Sequence, residues 1–177
     1  MKSNNIRDSP PPLRDYQQAD LAKMQNYEGR AALMVLATGL GKTRIYTEYI
    51  RWDVLNNNHN CLILSHREEL VYQPLTYLQD LPCGVELAEK HAHGEPVISA
   101  SVQSLVGRLD KYNPYEIDTI IVDEAHHAAA PTYRRVLEYF PSAQIFGFTG
   151  TAHRGDGVGL SCVFDDILTE RDTLWGV

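Results

Sequence analysis

Two carboxylates stand side by side at Asp123-Glu124, followed by Ala125 and His126 and preceded by the apolar run Thr119-Ile120-Ile121-Val122. Adjacent acids repel, and at a strand terminus each raises the pKa of the other. A cation relieves that conflict, and Mg²⁺ carried by a nucleotide is the natural candidate. Upstream, after another apolar run, lies Ala37-Thr38-Gly39-Leu40-Gly41-Lys42-Thr43. Gly39 and Gly41 let backbone N–H groups turn toward a phosphate without Cβ clashes, and the positive end of a following helix points the same way. Lys42 would neutralise the β- and γ-phosphates, and the Thr43 hydroxyl would ligate Mg²⁺. Asp123 would hold the same ion directly or through water, while Glu124 would orient and deprotonate an attacking water. Position 36 departs from the general Gly-x-x-x-x-Gly-Lys-Ser/Thr pattern, carrying Leu36 in place of glycine. A chance glycine turn, or an acidic helix cap, explains either motif alone; neither explains the pair.

These motifs need elements to hold them. Leu13 to Asn26 has a rough helical period, and Ala31 to Ala37 is a short apolar run of the kind buried on both faces of a sheet. A helix is predicted from Lys42 to about Leu55, then strands at Cys61 to Ser65, Val97 to Ala100, Thr119 to Val122 and Gln144 to Thr149. Further helices are expected over Arg67 to Gln79, Val102 to Leu109 and Tyr133 to Phe140, with Pro74 kinking or shortening the first of these. Such alternation implies a mostly parallel sheet with helices on both faces, an α/β domain. Ligands then bind off the carboxyl ends of the strands. The polar segments 37–43, 65–67, 123–127 and 149–154 all follow strands, which supports one shared site.

The bulk properties bound the answer. The 177 residues suit one domain, 1–12 being a flexible lead-in ending in Pro10-Pro11-Pro12 and 13–177 the folded unit. No apolar run approaches the roughly 20 residues that span a bilayer, so no membrane partner is expected. Cys61, Cys83 and Cys162 lack any Cys-x-x-Cys pairing and read as reduced thiols of a cytoplasmic protein. The net charge of −7 opposes a general grip on nucleic acid but permits a local basic stripe.

The ordered set Leu13-Arg14-Asp15-Tyr16-Gln17, ATGLGKT, LILSHREEL, SASVQSL, DEAH and TGTAHR resembles the first RecA-like domain of a superfamily-two DEAD/DEAH-box helicase. It is most similar to the motors of type I and type III restriction enzymes and related phage proteins. The likeness runs from Leu13 onward, and six motifs in order make it specific. It implies ATP and Mg²⁺ as cofactors, with Thr38, Gly39, Leu40, Gly41, Lys42 and Thr43 around the phosphates. It further implies that Gln17 reads the adenine edge with Arg14 beside it. Ser65, His66, Arg67, Ser101, Gln103, Ser104 and Arg154 would meet nucleic acid, DNA being favoured over RNA. His126 would link the γ-phosphate site to Thr149 and Thr151, which couple hydrolysis to movement. Two departures stand out: Gly150 and Ala152 replace the alanine and proline of the usual Thr-Ala-Thr-Pro, and Asp15 replaces a proline.

Simpler roles compete for several of these residues. Gln17 alone reads more readily as a solvated helix residue. His126 beside His127 suggests a metal pair, but neighbours on a helix do not face one another. His91 and His93 read as surface residues, and Tyr16, Tyr46 and Tyr49 as packing. In the resembled family ATP lies between two RecA-like domains, and the second supplies an arginine finger that contributes about 10³–10⁵ in rate. The chain ends too soon after Thr151 to hold that domain, so slow hydrolysis is expected from it alone. The expectation is an ATP-dependent helicase or translocase motor domain. The alternative is a non-catalytic interaction module or the remnant of a truncated gene. A GTPase would need an Asn-Lys-x-Asp motif, which is missing, and a small-molecule kinase would not need the acidic box.

Overall fold

The computed structural model describes residues 10–150 and 157–172. Their elements run α1 (Asp15–Gln25), β1 (Ala31–Leu36), α2 (Lys42–Asn57), β2 (Cys61–Ser65), α3 (Glu68–Tyr72), β3 (Cys83–Glu86), β4 (Val97–Ser101), α4 (Val102–Val106), β5 (Thr119–Asp123), α5 (Pro131–Tyr139), β6 (Gln144–Thr149), α6 (Gly157–Leu160) and β7 (Asp166–Arg171). Three 3₁₀ turns occur at Pro74–Tyr77, Leu109–Lys111 and Ala125–His127. The strands form one sheet in the order β3-β4-β2-β5-β6-β1-β7, and every pairing is parallel.

β1, β2, β4 and β5 are buried along their whole length, which is why they read as mostly apolar runs rather than alternating ones. Their side chains still alternate between faces. Leu33, Val35, Leu64 and Val122 share one core with Leu105, Tyr133, Val136 and Leu137 of α4 and α5. Met34, Leu36, Ile63 and Phe148 share the other with Met24, Ile45, Tyr46, Tyr49 and Ile50 of α1 and α2. Tyr46 meets Phe148, and Tyr49 meets Phe146, edge to face with centroids 5.3 and 5.0 Å apart.

The five predicted strands are present. Two more, β3 and β7, were not anticipated, and both lie at the edges of the sheet. An edge strand has one solvated side and needs fewer apolar residues. β7 accordingly is exposed or half-buried except at Thr169, and β3 contains Gly84. The helix expected over 67–79 is split: α3 stops at Tyr72, and Pro74, which has no N–H to give, opens a separate 3₁₀ turn. The expected helix from Val102 ends at Val106, before Gly107.

Gly147 in β6 fixes how closely the acidic segment can approach the sheet. A Cβ there would overlap the Phe164 ring and stand 2.8 Å from the Cβ of Ala125, the residue after Glu124. Gly147→Ala should therefore destabilise the fold by about 1–3 kcal/mol, as overpacked cores do. Urea denaturation checks this; an unchanged midpoint would show that Phe164 simply moves aside.

Candidate functional site

Because every pairing is parallel, the carboxyl ends of the strands share one edge. The order β2-β5-β6-β1 sets Ser65, Asp123, Thr149 and Leu36 side by side along it. After β1 the chain turns through Gly39 (φ 88°) and Gly41 (φ 77°), both in the left-handed region that suits glycine. Gly41 is the N-cap of the 16-residue α2, so the exposed N–H groups of that helix open onto the loop. Lys42 Nζ donates to the Leu36 carbonyl at 3.2 Å. The end of β6 lies against the same loop. A Cβ built on Gly150 would stand 3.6 Å from Lys42 Nζ and 3.7 Å from Thr38 Oγ1, ordinary contact distances. Alanine would fit there, so crowding does not account for this glycine.

Gln17 is 7% exposed, which overturns its reading as a solvated helix residue. Its Nε2 donates to the Leu40 carbonyl at 3.2 Å, and its Oε1 accepts from the Arg14 N–H at 2.9 Å. The Tyr16 hydroxyl donates to the same Leu40 carbonyl at 2.8 Å. A Cβ on Gly41 would run into Gln17 Nε2, so the glycine and the glutamine are fitted to each other. One turn along α1, the fully buried Asp20 accepts two bonds from Arg171 of β7, each 3.0 Å, and one from Thr169 Oγ1 at 2.8 Å. The helix carrying Gln17 is thus bolted to the strand beside the loop. Sequence reasoning missed Asp20, although it lies three residues from Gln17 and four from buried Met24, on one face. Nothing in the sequence pointed to Arg171.

Asp123 is 6% exposed. Its Oδ2 accepts from the Tyr46 hydroxyl at 3.0 Å and its Oδ1 from the Glu124 N–H at 2.9 Å. Burial raises its pKa; the two hydrogen bonds and Lys42 oppose that rise, and the Glu124 charge adds to it. Burial, rather than the neighbouring acid, is therefore the main cause. Glu124 lies at φ 54° and makes no capping bond to the 3₁₀ turn it precedes, so the cap reading fails for it. Its side chain is 45% exposed and points Oε2 to within 3.5 Å of His126 Nε2. His126 Nδ1 lies 3.4 Å from Thr149 Oγ1. His126 and His127 do face each other, with ring centroids 4.2 Å apart, contrary to the helix argument. The segment is a single 3₁₀ turn, in which α-helical spacing does not apply.

Farther along the edge, the ends of β2 and β4 flank a groove of about 730 Å³ bordered by His66, Arg67, Gln103 and Ser104. Glu68 and Glu69 border it too, so it is not uniformly basic. His66, Arg67 and Gln103 are exposed. Ser65 and Ser101 are buried, however. The Ser65 hydroxyl has no hydrogen-bond partner, and Ser101 Oγ caps α4 by accepting from the Ser104 N–H at 3.2 Å. Thr151 and Arg154 lie outside the described residues.

Among the described residues no group of three or more His, Cys, Asp or Glu could hold a metal. Thr43 and Asp123 offer one hydroxyl and one carboxylate, which matches how Mg²⁺ binds with phosphates and water completing its shell.

Known proteins match this arrangement. A protein of Schizosaccharomyces pombe named as a mitochondrial ATP-dependent helicase, irc3, is 39% identical over 176 residues, covering 90% of this chain and 29% of that protein. The Saccharomyces cerevisiae protein named as ATP-dependent helicase IRC3 is 37% identical over 187 residues, covering 94% and 27%. The chain thus spans less than a third of the curated relatives it matches. Among solved structures, the Hef helicase domain of Pyrococcus furiosus superposes with a TM-score of 0.79 at 22% identity, covering 93% of this chain and 39% of that one. The fold is RecA-like. Residues 11–154 match the type III restriction enzyme res subunit family, and the chain belongs to that family.

Proposed function

We propose that the chain is the ATP-binding half of an ATP-dependent DNA or RNA helicase or translocase, its hydrolytic site being completed by a second RecA-like domain in cis or in a longer product. One observation carries this reading: the ends of β1, β5 and β6 put the glycine loop, Lys42, Asp123, Glu124 and Gly150 in one continuous patch. The loop N–H groups and the α2 terminus cradle the phosphates. Lys42 exchanges the Leu36 carbonyl for phosphate oxygens, and Gln17 reads the adenine edge with Arg14 beside it. Thr43 and Asp123 would hold Mg²⁺, which would offset phosphate charge. Glu124 orients water and takes its proton, and His126 passes the state of the site to Thr149 and Thr151. His66, Arg67, Gln103, Ser104 and Arg154 meet the nucleic-acid backbone, with Ser65 and Ser101 supporting the groove from beneath. DNA is favoured over RNA by kinship with restriction-enzyme subunits. Three widely spaced cysteines with no Cys-x-x-Cys pairing support a reducing compartment such as the cytoplasm. No helix among the described residues is long and apolar enough to cross a membrane.

Titrating labelled ATP with Mg²⁺ against the chain and its Lys42→Ala variant tests the site. The variant should bind about 10- to 100-fold more weakly, the worth of a charge-assisted phosphate contact. Equal binding by both would sink the assignment.

A further inference from the structure

Three imidazole rings stand in file between the acidic segment and the groove. His126 touches Thr149 Oγ1 at 3.4 Å and Glu124 Oε2 at 3.5 Å. His127 follows, its ring 4.2 Å from that of His126 and tilted by 42°. On its other side His127 stacks on His66, again at 4.2 Å, with planes only 24° apart. His66 Nδ1 lies 3.4 Å from Gln103 Nε2 on the groove wall. Tyr133 of α5 backs the His127 ring at 6.4 Å and 18°. The contacts therefore run unbroken from the Glu124 carboxylate, at the end of β5, to residues at the ends of β2 and β4.

His127 is the only ring in contact with both of the others. Burial lowers its pKa, and the neighbouring His126, His66 and Arg67 lower it further against the opposing pull of Glu124. A neutral ring can stack between two imidazoles without charge repulsion. It is half-buried, whereas His66 is exposed and free to meet a ligand. A ligand that shifts His66 must either slide it off His127 or carry His127 with it, and the second outcome moves the ring next to the base.

Resting on the nucleotide reading above, we propose that His127 is a positioning residue that couples occupancy of the His66–Gln103 groove by a nucleic-acid strand to the placement of His126 and Glu124. Coupling between two binding sites is reciprocal, so it is readable from either side. Nucleotide at Lys42 alters affinity in the groove by the same factor as a strand in the groove alters affinity for nucleotide.

The test measures the affinity of a fluorescent single-stranded DNA oligonucleotide for the 177-residue chain, with and without saturating Mg²⁺ and a non-hydrolysable ATP analogue. In parallel, imidazole NMR signals of His66 are followed while the analogue is added. The wild-type chain should show a ratio of DNA affinities of about fivefold or more, the lower range for a coupled pair. His127→Ala should bring that ratio to one and silence the His66 response, while each ligand alone still binds. His127→Phe, which keeps a flat ring, should restore both. His127→Leu, which keeps bulk without a flat ring to stack on His66, should abolish the ratio as well, so the proposal stays testable should His127→Ala fail to fold. A His127→Ala protein that keeps the wild-type ratio overturns the proposal. So does a wild-type chain that binds both ligands with no ratio at all. Nucleotide binding that ignores Lys42→Ala is a separate failure, one of the nucleotide site itself.

Discussion

Glu124→Gln should leave ATP binding within about twofold of wild type and lower phosphate release by about 10²–10⁴-fold, the usual contribution of a positioned general base. The two acids of the segment are not interchangeable. Asp123 is buried, and each of its oxygens already accepts a hydrogen bond. Glu124 is held by its left-handed backbone with its carboxylate half-exposed, near His126 and engaged in no cap. Of the two acids, Glu124 has the carboxylate open to solvent. Glutamine keeps its size and its hydrogen bonding but accepts no proton. Single-turnover phosphate release at saturating ATP, with and without DNA, gives the comparison. Turnover retained by the variant removes Glu124 as the base. Loss of ATP binding would mean that the residue serves the fold instead.

The second large effect lies on the opposite flank of the nucleotide loop. Asp20→Ala should destabilise the fold by about 3 kcal/mol, the low end of what breaking a buried ion pair costs. The low end applies because the Arg171 side chain is 22% exposed and regains some hydration once its partner is gone. Lys23, 3.9 Å away, and Thr169 lose a partner as well. The loss should be uneven. With α1 released from β7, Gln17 and Tyr16 lose their seat on Leu40, so ATP affinity should fall along with stability. Urea denaturation, paired with ATP titration at a temperature where the variant is folded, measures both. A stability loss well under 1 kcal/mol would mean that water already screens the pair.

The strands and the segments at their carboxyl ends were far more legible in the sequence than the contacts that support them. The glycine loop, the acid pair and the five interior strands follow from local rules, because strands covered on both faces are mostly apolar and left-handed turns favour glycine. The edge strands escaped because the solvated side of an edge permits sequences such as Asp166-Ile-Leu-Thr-Glu-Arg171, which lack an apolar run. The burial of Gln17 was invisible for another reason. Its partner is a backbone carbonyl in a distant loop, and no helical period encodes that. The meeting of His126 with His127 escaped because an α-helix was assumed where the chain makes one 3₁₀ turn. Ser65 shows the converse: a motif position can match while its hydroxyl is sealed beneath the surface.

The placement of β1 has a consequence for how the molecule is made. This strand leads directly into the glycine loop, yet it pairs only with β6 and β7, from the far end of the described chain. Contacts so distant in sequence are slow to form, because a long loop must close before they give any return. During synthesis β1, the loop and α2 leave the ribosome before the strands that flank β1. Until then β1 presents two bare hydrogen-bonding edges and an apolar surface on each side, the kind of segment that invites aggregation or a chaperone. The residues that would grip the nucleotide are thus translated before the strands that lock them in place.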